Sequence, residues 1–320
     1  MHGQRVLVLG ASGWIGCRLA LELARDNQVD GLGLFPNGEA RDALDQAGVQ
    51  IFERDIVGDG LYGVPTNYDY VFSELAALPN LCNSNLPVAQ AINIHFVGKM
   101  ISHFREARGI IHASTGSLYR PSGFPLLEDA PPGPWDTYNS TKLGGEAVAI
   151  YMAEALGVPV AIPRYFFPYI GSRGAICGPV RLVSEGQPVP RNPQTSVKRN
   201  PIHMDDLVRL TIDSAKICGV PAQFVNIAGA DVVDDEAVAR RTAAILGKGI
   251  SFIDVDVPPP FWGSDFWSQG RLVPLPSMEF YNIDGPSISW LADTTKLNRD
   301  VGTPTILLDE GIQRCLDTLT

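Results

Sequence analysis

The 320-residue sequence has no C-x-x-C pair, no closely spaced histidines, no surplus of basic charge and no long apolar run. Each absence removes a class of function. The cysteines, Cys17, Cys82, Cys177, Cys218 and Cys315, are odd in number and far apart, which suits a reducing cytosol better than a disulfide framework. His2, His95, His103, His112 and His203 stand at no metal-ligand spacing, so no metal site is expected. Lys and Arg total 25 against 35 Asp and Glu, a net charge of −10. Such a surface repels phosphate backbones, and nucleic acid is not an expected partner. Nothing approaches the ~20 apolar residues of a membrane span. The apolar run at 6–9 leads into glycines rather than into a signal-peptide cleavage site, so a cytoplasmic protein is expected.

What is present is ordinary for a folded protein: 45% hydrophobic and 19% charged residues. In the first half, short apolar runs at 5–9, 31–34, 49–52, 70–72, 109–113 and 158–164 read as strands. Helical patterns fall between them, notably at 13–25 and 138–156. Gly157 and Pro159 stop the second helix. Strands alternating with helices predict an α/β fold, a Rossmann-like doubly wound parallel sheet. Beyond about residue 165, proline, glycine and aromatics become frequent, as in DVPPPFWGSDFW at 256–267. The expected division is a dinucleotide-binding domain at 1–165 plus about 203–228, and a smaller substrate-binding lobe at about 166–202 and 229–320. Another sheet strand is expected at 223–228, and a helix from Leu207 headed by Asp205 and Asp206.

The strand at 5–9 is followed at once by Gly10-Ala-Ser-Gly13-Trp14-Ile15-Gly16. Glycine at this spacing gives the turn its freedom, lets a pyrophosphate approach backbone amides, and seats the helix close on the strand. The amides of Gly13, Trp14 and Ile15 then face an anion from the positive end of the helix. The alternative is a tight strand–helix turn with no ligand; the strand before and the helix after favour a dinucleotide. The end of the second strand carries no acid for a ribose. Asn37 is the expected ribose acceptor, and Arg41 is within reach of a 2′-phosphate. NAD is favoured over NADP. Asp55 is a candidate for the adenine amino group, or a solvated turn residue.

Tyr138 and Lys142 stand four apart and share a helix face. A free phenol, with its pKa of ~10, is a poor proton carrier at neutral pH. A lysine cation beside it favours the phenolate and makes Tyr138 a general acid/base. The Y-x-x-x-K spacing alone is common. Thr115 adds weight because it follows the strand at 109–113, and carboxyl ends of parallel strands are where ligands bind. Simple turn chemistry is the plainer account of Thr115 and Ser117.

These pieces together resemble the extended short-chain dehydrogenase/reductases, the NAD-dependent epimerase/dehydratase family. The likeness includes GASGWIG at 10–16, Asp55-Ile56, Leu75-Ala76-Ala77, Asn93, ASTGSLY at 113–119 and YNSTK at 138–142. RYFFPYIG at 164–171, RNPIHMDDL at 199–207 and ADTTKL at 292–297 complete it. The resemblance implies that Tyr138 is the acid/base, that Lys142 holds the nicotinamide ribose and that Thr115 binds the substrate oxygen. It implies that Leu75, Ala76, Ala77, Asn93 and Tyr165 line the cofactor along with Ile56. It also implies a homodimer formed through helices near 88–105 and 138–156.

Departures from the pattern bear on the substrate. Ser73-Glu74 stand where relatives usually have one histidine or asparagine. Gly116 and Ser117 occupy the places of the Asp-Glu pair of sugar-nucleotide 4,6-dehydratases, so that dehydration lacks its acid and base. Phe167 replaces an asparagine that helps hold a nucleotide diphosphate, and Ile283 stands near the place of an expected arginine. Arg199 remains as a candidate partner for an anion. With two phosphate-binding places apolar, and with Phe261, Trp262, Phe266, Trp267 and Phe280 in the second lobe, the sequence favours a less charged substrate. The leading expectation is therefore an NAD(P)-dependent oxidoreductase interconverting a secondary alcohol and a ketone. The alternative is a sugar-nucleotide epimerase with tightly bound NAD, and a third reading is a non-catalytic NAD(P)-binding regulator.

Overall fold

The computed structural model describes residues 1–36, 38–193, 196–255 and 287–319. Its centre is a parallel sheet. The strands are β1 (Arg5–Leu9), β2 (Gln28–Gly33), β3 (Gln50–Glu53), β4 (Tyr70–Ser73), β5 (Gly109–His112), β6 (Ser114–Thr115), β7 (Val160–Tyr165) and β8 (Gln223–Ile227). They lie in the order β8-β7-β5-β4-β1-β2-β3, with the short β6 also paired to β7. Every ladder in this sheet is parallel.

Period-two alternation divides the apolar side chains between two cores. From β1, Val6 and Val8 point to one face and Leu7 and Leu9 to the other. The first face is covered by α1 (Trp14–Ala24), through Leu19, Ala20 and Leu23, and by α4 (Met204–Asp213). The second is covered by α2 (Phe96–His103) and α3 (Thr137–Leu156). The sequence predicted these strands and α1 with small shifts at the ends, except β6, which it read as residues beyond the strand at 109–113. α4 starts earlier than expected. Its cap is His203, whose Nδ1 accepts the Asp205 amide at 3.2 Å. Asp205 and Asp206 therefore lie inside the first turn, where their charge suits the helix dipole.

Beyond the sheet lie the helices Cys177–Ser184, Asp235–Leu246 and Leu308–Asp317, with two short parallel pairs. These join Val189–Arg191 to Phe252–Asp254 and Ser196–Arg199 to Ser287–Trp290. The aromatics at 261–280 and Ile283 lie outside the described residues.

Candidate active site

The site is built at the carboxyl edge of the sheet, where β1, β4, β6 and β7 all end. Gly10 turns the chain out of β1 with φ +84, a conformation suited to glycine. A Cβ at Gly16 would lie 2.2 Å from the Gly10 carbonyl oxygen, so only glycine lets α1 sit this close. A Cβ at Gly33, the end of β2, would come within 2.6 Å of Ser12 Oγ. The turn is thus walled by backbone. α1 begins without a side-chain cap, which leaves its first amides for an anion. The expectation for Gly13 is corrected here: its amide donates to the Gly10 carbonyl at 2.9 Å and braces the turn from inside. Trp14 and Ile15 are the amides left of the three. The cradle fits a dinucleotide pyrophosphate.

At the adenosine end, Asn37 lies outside the described residues. Arg41 pairs with Glu53 at 2.9 Å, so a carboxylate already meets the cation assigned to a 2′-phosphate. Asp55 is exposed and accepts the Val57 amide at 2.9 Å, a local turn bond. Ile56 is buried in the core.

The helix α3 opens at Asp136, whose carboxylate accepts the Asn139 amide at 2.6 Å, and closes at the left-handed Gly157. Between these caps, Tyr138 and Lys142 share a face. The Thr115 side chain is near enough to the Tyr138 phenol to act on its pKa. Thr115 Oγ1 lies 2.8 Å from Ser117 Oγ, which donates to Asn139 Oδ1 at 2.6 Å, and Asn139 Nδ2 returns to Asp136 at 2.8 Å. A chain of polar groups thus runs from the helix cap to Thr115. Asp136 and Asn139 escaped the sequence reading; the one available signal was an Asp three residues before an Asn at a helix start.

Burial, and then the negative charge of Asp136, hold the Tyr138 phenol above its ordinary pKa, and the Thr115 side chain acts the other way. The sequence had expected Lys142 to depress it. Instead the Lys142 ammonium donates to the Ala113 carbonyl at 2.7 Å. Burial pushes Lys142 down to about 8, opposed by Glu146 and Glu74. Nearby, neither ring nitrogen of buried His112 has a hydrogen-bond partner, nor does the Ser114 hydroxyl.

The wall after β4 is formed by Leu75, Ala76 and Ala77. Asn93 holds it in place: its Oδ1 accepts the Ala77 amide at 2.7 Å, and its Nδ2 donates to Ala77 O at 3.0 Å and Thr141 Oγ1 at 2.8 Å. Asn93 sits in a π-turn at Ala91–His95, a widening often found at functional sites. Its role is to brace the wall against α3. Tyr165 donates to Glu74 Oε1 at 2.8 Å.

On the substrate side, a Cβ at Gly116 would run into the Phe166 ring at 2.3 Å. The missing dehydratase acid is therefore excluded by packing as well as by sequence. Phe167 adopts φ +50, a region where asparagine is far more comfortable than phenylalanine. Its ring meets Phe166 edge-on at 6.3 Å. Arg199 is corrected: it is buried, and its guanidinium donates to Asp235 and, at 2.9 Å, to Ala175 O. Its charge is matched inside the fold rather than offered to a ligand. Among the described residues, no group of His, Cys, Asp or Glu is gathered to hold a metal.

The family model "NAD dependent epimerase/dehydratase family" matches residues 6–217. An uncharacterized UDP-glucose epimerase of Bacillus subtilis is 25% identical over 181 residues, 52% of this chain; the match spans 57% of that relative's length. UDP-glucuronic acid 4-epimerase from Bacillus cereus, solved with NAD and a sugar nucleotide, superposes with a TM-score of 0.79. It has 21% identity, with 98% of each chain covered. UDP-N-acetylglucosamine 4-epimerase from Methanobrevibacter ruminantium gives 0.78 at 18% identity over 100% of both chains. These likenesses in structure concern the fold.

Proposed function

The chain belongs to the NAD dependent epimerase/dehydratase family, and on that premise we propose that it is an NAD-dependent epimerase that inverts a secondary alcohol carbon of a nucleotide-linked sugar. This puts the epimerase reading ahead of the net alcohol–ketone oxidoreductase that the sequence favoured. The observation that carries it is the polar chain from Asp136 through Asn139 and Ser117 to Thr115, next to Tyr138 and Lys142 on one helix and near a glycine turn whose helix start has no side-chain cap. The relatives named above, epimerases of UDP-sugars, support the substrate class.

When bound, NAD would supply the hydride acceptor and donor. Thr115 and Ser117 orient the reacting oxygen by hydrogen bonds. Tyr138 takes the alcohol proton during oxidation and gives it back to the same oxygen after the ketone has been presented by its other face. Lys142 holds the nicotinamide ribose, and Trp14 and Ile15 meet the pyrophosphate. The second lobe holds the rest of the substrate, and the protein works as a cytoplasmic homodimer through α2 and α3.

The net oxidoreductase stays as a second reading because Arg199 is engaged by Asp235 and Phe167 is apolar, which disfavours a diphosphate. Two measurements test the assignment. Tyr138→Phe lowers turnover by about 10²–10⁴-fold while NAD affinity is kept; near-normal turnover refutes the role. Epimerisation without net NADH release supports the first reading, and steady NADH production the second.

A further inference from the structure

At the carboxyl end of β4, Glu74 stands between the glycine turn and the catalytic helix. A Cβ on Gly10 would approach its backbone to 2.9 Å. Its Oε1 accepts the Tyr165 hydroxyl at 2.8 Å, and that hydroxyl in turn accepts Thr211 Oγ1 at 3.0 Å. Lys142 is near enough that its charge and that of Glu74 act on each other. An acid thus stands against the glycine turn, within electrostatic reach of the lysine assigned to the nicotinamide ribose.

We propose that Glu74 sets the redox preference of the cofactor site, favouring NAD⁺ over NADH while its carboxylate is charged and losing that preference on protonation. This rests on the NAD reading above. The two forms of the cofactor share one pyrophosphate and differ by the positive charge of the pyridinium ring. A carboxylate near the ring end separates them; one near the phosphates weakens both alike. For an epimerase the preference is useful, because a site biased to NAD⁺ drives return of the hydride to the sugar.

The surroundings let Glu74 change charge near neutrality. Burial pushes its carboxyl up to about 7, against the Tyr165 hydrogen bond and the Lys142 charge, which lower it. Of the groups around it, Tyr165 on β7 has its pKa raised well above the ordinary value and stays protonated. His112 on β5 is held well below its usual range by burial and by Lys142, and stays neutral. Lys142 on α3 titrates near 8. The glycine turn brings only backbone to Glu74, and α4 brings the uncharged Thr211. NAD⁺ stabilises the carboxylate and NADH does not, so the advantage of NAD⁺ grows as pH rises through Glu74 and fades as pH falls.

The test is to measure Kd for NAD⁺ and NADH by calorimetry between about pH 6 and about pH 8. In the wild-type protein the ratio of the NADH Kd to the NAD⁺ Kd rises about tenfold across that span. Glu74→Gln loses the rise centred near neutrality and keeps only a change at the alkaline end, from Lys142. Tyr165→Phe removes a bond that favours the carboxylate, so it moves the wild-type rise to higher pH; it also carries the test if Glu74→Gln does not fold. A Glu74→Gln protein with the wild-type ratio at about pH 8 overturns the proposal. So does a wild-type protein whose two Kd values shift by one common factor. If the wild-type protein binds neither nucleotide, the NAD reading itself falls.

Discussion

A neutral phenol can hand over a proton but cannot accept one from an alcohol. Tyr138, held above its ordinary pKa by burial and Asp136, is ready for the returning half of an epimerisation and must be made basic for the first half. Positive charge beside it would do this, with the oxidised nicotinamide as the source and Lys142 assigned to hold its ribose in place. Lys142→Met removes that hold. The expected result is a kcat lower by about 10²-fold at neutral pH, with a rate still climbing where the wild-type profile is level. A pH–rate profile unchanged in shape contradicts it. The same variant alters stability in a predictable direction. Burial lowers Lys142 from 10.5 to about 8 in the folded chain. Folding then favours the neutral amine, and its contribution is full above the unfolded pKa and is lost as pH falls toward 8. Wild-type Tm carries this slope between about pH 8 and about pH 10.5, and Lys142→Met lacks it, as calorimetric scans across that range will show.

At the scale of elements, α3 and β7 are locked by Arg164, whose guanidinium grips Glu146 through two hydrogen bonds of 2.9 and 2.7 Å. Both side chains are almost wholly buried. Glu146→Ala leaves the arginine charge without its partner, which destabilises by about 3–5 kcal/mol; a denaturant midpoint close to wild type counts against it. That pair also shows where sequence reading stops. The glycine turn, the strands and α3 were legible because each is written in a local pattern: glycine spacing, short apolar runs, and a helical period stopped by Gly157 and Pro159. The expectations for Thr115, Tyr138 and Lys142 rested on the same kind of reading, spacing combined with strand ends. The partners of Arg199 and Arg164 lie 36 and 18 residues away, and no local pattern encodes them. The brace made by Asn93 was invisible for the same reason, since Ala77 and Thr141 meet it only in the folded chain. His203 was passed over as the cap of α4 because acids nearby matched the usual preference.

For the whole molecule, the proposed dimer joins α2 and α3 to their copies in the partner. On α3, Tyr151 is an aromatic side chain left 70% exposed. Tyr151→Glu places a charge there and is expected to shift light-scattering mass from twice 34.6 kDa toward one chain. A wild-type protein that already scatters as a monomer removes the proposal.

The parallel sheet carries one more consequence. Gly10 and Glu74 follow β1 and β4, Thr115 and Tyr165 end β6 and β7, and every crossover between those strands must be complete before they meet. During synthesis, the glycine turn emerges early and waits for β7 to leave the ribosome, exposed and without its neighbours. Cofactor capture therefore waits for β7, and NAD acts as a clasp on the assembled strand ends rather than as a seed for them.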